Sequence, residues 1–383
     1  MRRNTRFGLG AVAITLAPAV SACGTTDDEP GASGDDCEFN IGVMGALSGS
    51  NASVVLPSVN GAELKLKEWS AENDECKITL EKFDTEGDPA KATPAATKMA
   101  TDETFIGVMG GAFSGETRAT KGAFDDAGLT MISQSATATD LTTEDPASVF
   151  HRVIGYDEVQ GAAIDRYLRD VAGATKVFVV DDSTTYGQPL ADKVKEELGD
   201  LVVDSDKTQE GQTEFSAVVA KIEQAEPDAV FYAGYAAEAG PFLKQLRDAG
   251  VTATFVGGDG LYGADFPKAA GEASEGAIVT CPCLPAEEAG GTFAADYEAE
   301  YGEAPGAYAA EGYDVMTIFL AAIDDGARDR AAMEEFVDGY TGAGLTKEYA
   351  FDEKGDVAEE NVVIWSYKVV DGALTAEQEI PKA

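Results

Sequence analysis

The 383-residue sequence has few basic residues and a single histidine. Lysine and arginine together number 28 against 69 aspartate and glutamate residues, so the formal net charge is −41. A field of this sign repels phosphate backbones and anionic lipid head groups, which excludes nucleic acid as an expected partner. The one imidazole, His151, lies in the apolar stretch VFHRVI and is expected to be structural rather than a catalytic base.

The short motifs of common enzymes are also absent. There is no G-K-[ST] for a Walker loop and no G-x-S-x-G for a serine hydrolase, and GVMGGAFSG does not fit the dinucleotide pattern. DEKGD at 352–356 lacks the twelve-residue calcium loop and is expected to form a hairpin turn. These absences favour a binding protein over an enzyme, with no catalytic residue, no cofactor and no metal.

The N-terminal apolar run, LGAVAITLAPAV, is too short to be a permanent membrane-spanning helix. A basic start, MRRNTRFG, precedes it and the small residues VSAC follow it, so residues 1–22 are predicted to be an export signal. VSAC resembles the lipobox of bacterial lipoproteins, in which the cysteine, here Cys23, is acylated; ordinary signal cleavage is the alternative. Residues 23–37 are then a polar tether, and we expect an extracytoplasmic protein anchored to the membrane by lipid alone.

Export permits disulfides among the four other cysteines. Cys37 and Cys76 each precede a predicted strand, and neighbouring strands would place them together, which favours a Cys37–Cys76 bridge. Cys281 and Cys283, separated only by Pro282, have three possible states: a local disulfide, two free thiols or half of a metal site. The metal alternative lacks further cysteine or histidine ligands.

Short apolar runs alternate with amphipathic helical stretches along most of the chain. VFVV and AVFYAG are unbroken apolar strands, as expected when helices cover both faces of a parallel sheet. The pattern restarts after residue 155, which predicts an α/β protein with two doubly wound, parallel-sheet lobes. Such sheets bind ligands beyond the carboxyl ends of their strands, where the hydroxyl-rich SQSATATDLT (133–142) follows the apolar LTMI.

Nine segments in order resemble the leucine/isoleucine/valine-binding class of periplasmic binding proteins, which deliver ligands to ABC importers. They are IGVMGALSG, FDTEGDPAKA, GGAFSGET, SQSATATDLT, FHRVIGYDEVQGAA, VVDDSTTYGQPLA, VFYAGYAAEAGPFLKQLRDAG, TFVGGDG and FDEKGD. The resemblance implies the type I fold, in which three crossovers form a hinge and the ligand is trapped by lobe closure. It places lobe 1 at 38–155 and 286–347, and lobe 2 at 156–285 and 348–383.

The resemblance also implies which residues contact the ligand. On lobe 1, Ser114, also a candidate helix N-cap, and the amide of Gly115 would hold the ligand carboxylate. Ser135, Ala136 and Thr137 would add a carbonyl facing the ammonium together with hydroxyl and amide contacts. Lobe 2 and the cleft wall would contribute the residues Tyr186, Tyr235, Asp259 and Tyr308.

Asp259 would pair with the ligand ammonium in place of the glutamate that the family often has there. Glu116 departs from the family pattern, since a carboxylate at this position would repel the ligand unless it turned to solvent. No aromatic residue follows ALSG, so Val54 or Val55 takes that wall position. A valine at this position of the cavity wall could leave room for a bulkier ligand side chain.

The resemblance therefore predicts a monomeric substrate-binding lipoprotein that captures an α-amino acid, branched-chain or aliphatic, for an ABC permease and its ATPase. Two alternatives remain open at this stage. The same fold could bind an amide, a urea-like compound or an aromatic acid, or it could be a sensory receptor module without transport. Asp259 favours a ligand with an ammonium group.

Overall fold

The computed structural model describes residues 37–144 and 146–382. The predicted signal peptide, Cys23 and the tether up to residue 36 lie outside these residues. Within the described residues, no helix combines the length and the apolar character needed to cross a bilayer.

Lobe 1 is built on a five-stranded parallel sheet in the order β2-β1-β3-β4-β5. Its strands are β1 (Cys37–Gly45), β2 (Cys76–Asp84), β3 (Phe105–Met109), β4 (Met131–Ser133) and β5 (Phe150–Arg152). The helices that pack on it or on one another are α1 (Ala52–Ser70), α2 (Pro89–Thr101), α3 (Ser114–Ala127), the short α4 (Asp140–Thr143), and, from later in the chain, α10 (Phe293–Tyr301), α11 (Ala309–Asp324) and α12 (Arg330–Asp338).

Lobe 2 is built on a seven-stranded sheet in the order β14-β13-β10-β9-β8-β6-β7. Its strands are β6 (Val177–Asp181), β7 (Val202–Lys207), β8 (Ala229–Ala233), β9 (Thr254–Gly257), β10 (Ile278–Cys281), β13 (Trp365–Val370) and β14 (Ala373–Glu379). Its helices are α5 (Asp157–Arg166), α6 (Gly187–Leu198), α7 (Ser216–Ala225), α8 (Ala236–Asp248) and α9 (Asp265–Ala270). A small antiparallel pair, β11 (Thr341–Ala343) and β12 (Glu348–Ala350), lies between α12 and β13.

The predicted α/β class with two parallel-sheet lobes is confirmed. All five residues of β3, β6 and β8 are buried, as their unbroken apolar sequences require when helices cover both faces. The predicted closing strand is β13, which pairs antiparallel with β10 and then with β14. The DEKGD segment forms the expected tight turn, because Phe351 and Val357 pair as an antiparallel bridge.

Three segments connect the lobes, after β5, after β10 and after β12, and one buried lysine joins them. The Lys347 ammonium donates to the Val153 carbonyl at 2.8 Å, which ties the third segment to the first. Glu311 of α11 accepts from the Leu284 amide of the second segment at 3.0 Å, and its carboxylate attracts Lys347. Burial lowers the pKa of Lys347 and raises that of Glu311. The lobe boundaries assigned to residues 155, 286 and 347 stay a prediction.

Both cysteine pairs form disulfides. Cys37 and Cys76 face each other at the start of two paired parallel strands, which confirms the predicted bridge. Cys281 and Cys283 form a second, local bridge at the end of β10, and both residues are fully buried. Of the three states open for this pair, the structure shows the disulfide.

Candidate ligand-binding site

A small cavity lies between the lobes at the carboxyl ends of both sheets, where parallel α/β sheets place their ligands. Its volume is about 10 Å³, close to the space that one water molecule needs. Six of the nine predicted ligand residues line it: Ser114, Ser135, Tyr186, Tyr235, Asp259 and Tyr308. Five of the nine segments that carried the resemblance therefore converge on one point of the fold.

Asp259 is the electrostatic centre of this cavity. It follows β9 in the GGDG turn, is only 3% exposed, and accepts hydrogen bonds from three side chains. The Tyr186 hydroxyl and the Gln160 amide donate to Oδ1 at 2.7 and 2.9 Å, and the Tyr308 hydroxyl donates to Oδ2 at 2.7 Å. Burial raises the pKa of this carboxyl, and the three donors oppose that shift by favouring the charged form.

A second buried carboxylate, Asp157, lies close enough to Asp259 to repel it. It is the first residue of α5, and the Thr137 hydroxyl lies near enough to its carboxylate to favour the charged form. Burial raises the pKa of Asp157 well above its ordinary value, and the charge of Asp259 adds to the shift. No basic side chain in the described part of the chain forms an ion pair with either carboxylate. The site therefore has negative charge that a cationic group could neutralise.

The lobe 1 side of the cavity presents hydroxyls and free helix amides. Ser114 is the first residue of α3, not its N-cap as predicted; Phe113 takes the cap position. The Ser114 hydroxyl instead accepts from the Ala138 amide at 3.2 Å. Ser135 donates to the Ala112 carbonyl at 2.8 Å, which holds the loop after β4 against the loop after β3. The first-turn amides of α3 have no acceptor within the helix and form an electropositive end beside the cavity.

Glu116 does not turn to solvent; it points into lobe 1. Its carboxylate is fully buried, accepts from the Thr85 hydroxyl, and accepts from the Phe113 amide at 3.3 Å. Burial raises its pKa to about 7. The side chain thereby fastens the start of α3 to the loop after β2. Because the Glu116 carboxylate points inward and its raised pKa favours protonation, it repels a ligand carboxylate less than an ionised, cavity-facing glutamate would.

The three other predicted contacts lie just outside the small cavity. Gly115 lines a larger neighbouring cavity of about 450 Å³, which also borders Tyr186 and Tyr235. Ala136 is buried with its carbonyl bound to Arg152 at 3.1 Å. Thr137 is buried with its hydroxyl near the Asp157 carboxylate, and its carbonyl accepts from the Asp157 amide at 2.8 Å. Ala136 and Thr137 therefore form the layer behind Ser135.

The walls between the two cavities are aromatic. Tyr235 makes an edge-on contact with Phe113 of lobe 1, at 5.3 Å between ring centroids, and a tilted contact with Tyr186 at 5.1 Å. Val54 of α1, rather than Val55, lines the small cavity. Tyr308 has φ of 55°, a left-handed conformation that a bulky residue adopts at a cost and that is often found at functional sites. This conformation places its hydroxyl on Asp259.

Sequence reasoning missed three of the residues that shape this site. Gln160 and Asp157 lie within FHRVIGYDEVQGAA and Phe113 within GGAFSGET, so the quoted segments contained them without their being singled out. A signal existed in the Asp-x-x-Gln spacing at the start of α5, which puts both polar side chains on one face of the first helical turn. Nothing in the spacing indicated that this face points at Asp259.

The two lobes contact each other around the rim of the cavity. The Tyr308–Asp259 hydrogen bond joins lobe 1 to lobe 2 at the centre. Ser53 of α1 and Asp265 of α9 bond reciprocally, with the Ser53 amide donating to the carboxylate at 3.2 Å and the Asp265 amide donating to the hydroxyl at 3.0 Å. The lobes are therefore closed, and a ligand of amino-acid size can enter only if they separate.

Comparison with known proteins places this geometry in a family. A family model described as periplasmic binding protein matches residues 38–373. The Leu/Ile/Val/Thr-binding protein of Salmonella typhimurium is 29% identical over 329 residues, which is 84% of this chain and 88% of that protein. The leucine-specific-binding protein of the same organism is 31% identical over 257 residues, covering 66% of this chain and 69% of that protein.

A solved structure with the same architecture is the branched-chain amino acid transporter substrate binding protein LivJ from Streptococcus pneumoniae in complex with isoleucine. It superposes with a TM-score of 0.81 at 26% identity, over 88% of this chain and 98% of that chain. The family model spans nearly all of the described residues. The chain belongs to the periplasmic binding protein family.

Proposed function

We propose that this protein is the substrate-binding component of an ABC importer and captures a branched-chain or other aliphatic α-amino acid between its lobes without chemically changing it. The observation that carries the proposal is the buried Asp259 carboxylate, which faces the interlobe cavity without a basic partner among the described residues. A ligand ammonium supplies the missing positive charge. Relatives named for binding leucine, isoleucine and valine support this ligand class.

Lobe 1 would hold the ligand carboxylate, and both lobes would contact the ligand ammonium. The carboxylate would lie at the N-terminus of α3, near the amides of Ser114 and Gly115 and the loop that carries Ser135, Ala136 and Thr137. The ammonium would lie on Asp259, with Asp157 nearby adding to the negative potential. Because Asp259 of lobe 2 would reach the ammonium only on closure, full affinity requires the closed state.

The side chain of the ligand would face the apolar walls. Val54, Phe113, Tyr235 and Tyr308 border the small cavity, and valine in place of an aromatic residue leaves extra room on the lobe 1 side. Tyr186, already bonded to Asp259, would orient the carboxylate that receives the ammonium. An aliphatic side chain suits these surroundings because its burial displaces water without leaving a polar group unpaired.

Calorimetric titration with leucine, isoleucine and valine tests the proposal, with two leucine analogues as internal controls. 4-Methylpentanoic acid lacks the ammonium and 3-methylbutylamine lacks the carboxylate. We expect saturable binding of at least one of the three amino acids and a loss of at least 30-fold for each analogue, since each leaves one buried charged group unpaired. Equal affinity for leucine and 4-methylpentanoic acid would refute the role of Asp259.

We also propose that export and acylation of Cys23 hold the protein at the outer face of the membrane as a monomer beside its permease. The VSAC sequence and the polar tether that follows it support this placement. Mass spectrometry of the protein purified from membranes tests it. A diacylglyceryl adduct on Cys23 is expected, whereas a free N-terminus upstream or downstream of Cys23 contradicts it.

A further inference from the structure

We propose that lobe 1 carries a binding site for a divalent transition-metal ion, formed by His151, Glu334 and Asp338 and separate from the interlobe cavity. One ligand atom from each of these residues lies within 4.8 Å of the other two. The expectation of no metal rested on the lack of further cysteine or histidine ligands for Cys281 and Cys283, which form a disulfide, and on the missing calcium-loop pattern at 352–356. The fold assembles a different set of ligands from residues far apart in the sequence.

The three side chains come from two elements on the edge of lobe 1. His151 is the central residue of β5, the edge strand of the five-stranded sheet. Glu334 and Asp338 are four residues apart on α12, so one helical turn brings both carboxylates to the same face. The helix presents this face to the edge strand, because His151 Nε2 lies 3.1 Å from an oxygen of Asp338.

The spacing suits a common metal ion. Two ligands of a tetrahedral ion with bonds of roughly 2.0–2.1 Å are about 3.3 Å apart, close to the separation of His151 and Asp338. The Glu334 carboxylate lies within 4.8 Å of both ligand atoms and would have to move closer to complete the third position. The Asp338 side chain is 62% exposed, so an ion can enter from solvent and keep a water as its fourth ligand.

Two observations point to an ion rather than to an ordinary surface cluster. His151 is 1% exposed and presents Nε2 to the carboxylates; metal binding through Nε2 would place the ring proton on Nδ1, which has no hydrogen-bond partner among the described residues. One oxygen of Glu334 is buried without a partner, while the other accepts from the Thr130 hydroxyl at 2.6 Å. Thr130 thus orients the carboxylate as an outer-shell residue does in metal sites.

The ligand set selects the class of ion. One imidazole and two carboxylates suit Zn²⁺, Co²⁺ or Ni²⁺, whereas Mg²⁺ and Ca²⁺ prefer oxygen ligands alone. A bound ion would clamp the end of α12 to β5, next to the segment that leads to lobe 2. Phe351 packs edge-on against the His151 ring at 4.9 Å between centroids and closes the inner side of the site. The proposal does not depend on the identity of the amino-acid ligand.

Calorimetric titration of the tag-free, EDTA-dialysed protein with Zn²⁺ and Co²⁺ tests the site. We expect one saturable ion per chain, visible d–d absorption of a low-symmetry Co²⁺ complex, and no competition from excess Mg²⁺. His151→Gln and Asp338→Asn should each weaken Zn²⁺ binding at least tenfold. The matched control is Glu335→Gln, which removes one charge from an exposed position on the same helix and should leave the dissociation constant unchanged.

Because His151 is buried, His151→Gln could fail to fold; Asp338 is exposed, so Asp338→Asn keeps the test decisive. The site is refuted if the wild-type protein shows no saturable Zn²⁺ binding. It is equally refuted if Asp338→Asn binds Zn²⁺ as tightly as Glu335→Gln does, because the ion would then sit elsewhere.

Discussion

The Tyr308 hydroxyl of lobe 1 donates a 2.7 Å hydrogen bond to the Asp259 carboxylate of lobe 2. This bond lies at the point where the ligand ammonium is proposed to bind. In the closed protein the Tyr308 hydroxyl therefore donates to a carboxylate oxygen to which a ligand ammonium would also donate. Opening the cleft breaks this bond, whereas Asp259 keeps the hydrogen bonds that it accepts from Tyr186 and Gln160, both in lobe 2.

Tyr308→Phe should shift the ligand-free protein toward the open state. The variant loses one interlobe hydrogen bond to a charged group, a contribution of about 1.5–3 kcal/mol, without changing the apolar wall. Small-angle X-ray scattering should show a larger radius of gyration before ligand addition. Tyr301→Phe is the control, because its hydroxyl bonds to the Asn60 carbonyl within lobe 1. Identical scattering from both variants would show that the bond does not hold the lobes together.

Asp259→Asn should abolish ligand capture while the protein stays folded. The amide has the same shape but no charge, so binding should weaken by about 2–5 kcal/mol, or 30-fold or more. Stability without ligand should change little, since the change removes a buried charge that burial disfavours. Titration calorimetry measures the affinity and urea unfolding the stability, with the exposed Asp248→Asn as control. Retained affinity in Asp259→Asn would contradict the proposed site.

The sequence predicted the layered architecture better than the orientation of individual side chains. Unbroken apolar strands such as β8 and amphipathic helices such as α6 follow from hydrophobic pattern, which depends on local sequence. Pro57 in the sequence favours a helix start there, yet α1 begins at Ala52 with the proline in its interior. Proline is favoured in a first turn, but here Ser53, one turn earlier, is held by Asp265 of lobe 2.

Long-range contacts explain what the pattern could not show. Glu116 is inward because Thr85, which follows β2, offers a donor to its carboxylate. Polar β14, with the sequence ALTAEQE, is a strand because β13 supplies a partner, and its residues are mostly exposed. Each of these features depends on a neighbour distant in sequence.

Stability should fall as the pH rises from about 4.5 to 7, and Glu116 should account for part of the loss. Its pKa rises from 4.5 to about 7 on folding, so the folded protein holds a proton that the unfolded chain has released. Protonation of Glu116 therefore contributes on the order of 3 kcal/mol to the free energy of unfolding. This contribution is fully present below pH 4.5 and is lost as the pH rises through 7.

Urea unfolding of Glu116→Gln across this pH range isolates that contribution. The glutamine keeps an acceptor for the Phe113 amide but cannot ionise, so its stability should fall less steeply than that of the wild type. Exposed Glu223→Gln should follow the wild-type curve. Parallel curves for Glu116→Gln and the wild type would mean that Glu116 ionises in the folded protein as it does in the unfolded chain.

Lys347→Met should destabilise the protein by about 3–5 kcal/mol, because it leaves the buried Glu311 carboxylate without its positive neighbour. Combining it with Glu311→Gln should recover part of the loss, since the second change removes the uncompensated charge. Urea unfolding of the four proteins in this cycle gives the coupling energy, with exposed Lys368→Met as the surface control. Strictly additive losses would exclude an electrostatic link between the hinge segments.

The two disulfides should differ in what they contribute, because they close loops of different length. Cys37 and Cys76 are 39 positions apart, and constraining that loop in the unfolded chain is worth about 4 kcal/mol in the chain-entropy model. Cys281 and Cys283 are 2 positions apart, for which the same model gives under about 2 kcal/mol. Replacing each pair by alanine and measuring urea unfolding should therefore cost more for Cys37–Cys76. If both pairs cost the same, loop entropy is not the source, and the local bridge at the end of β10 stabilises the folded hinge itself.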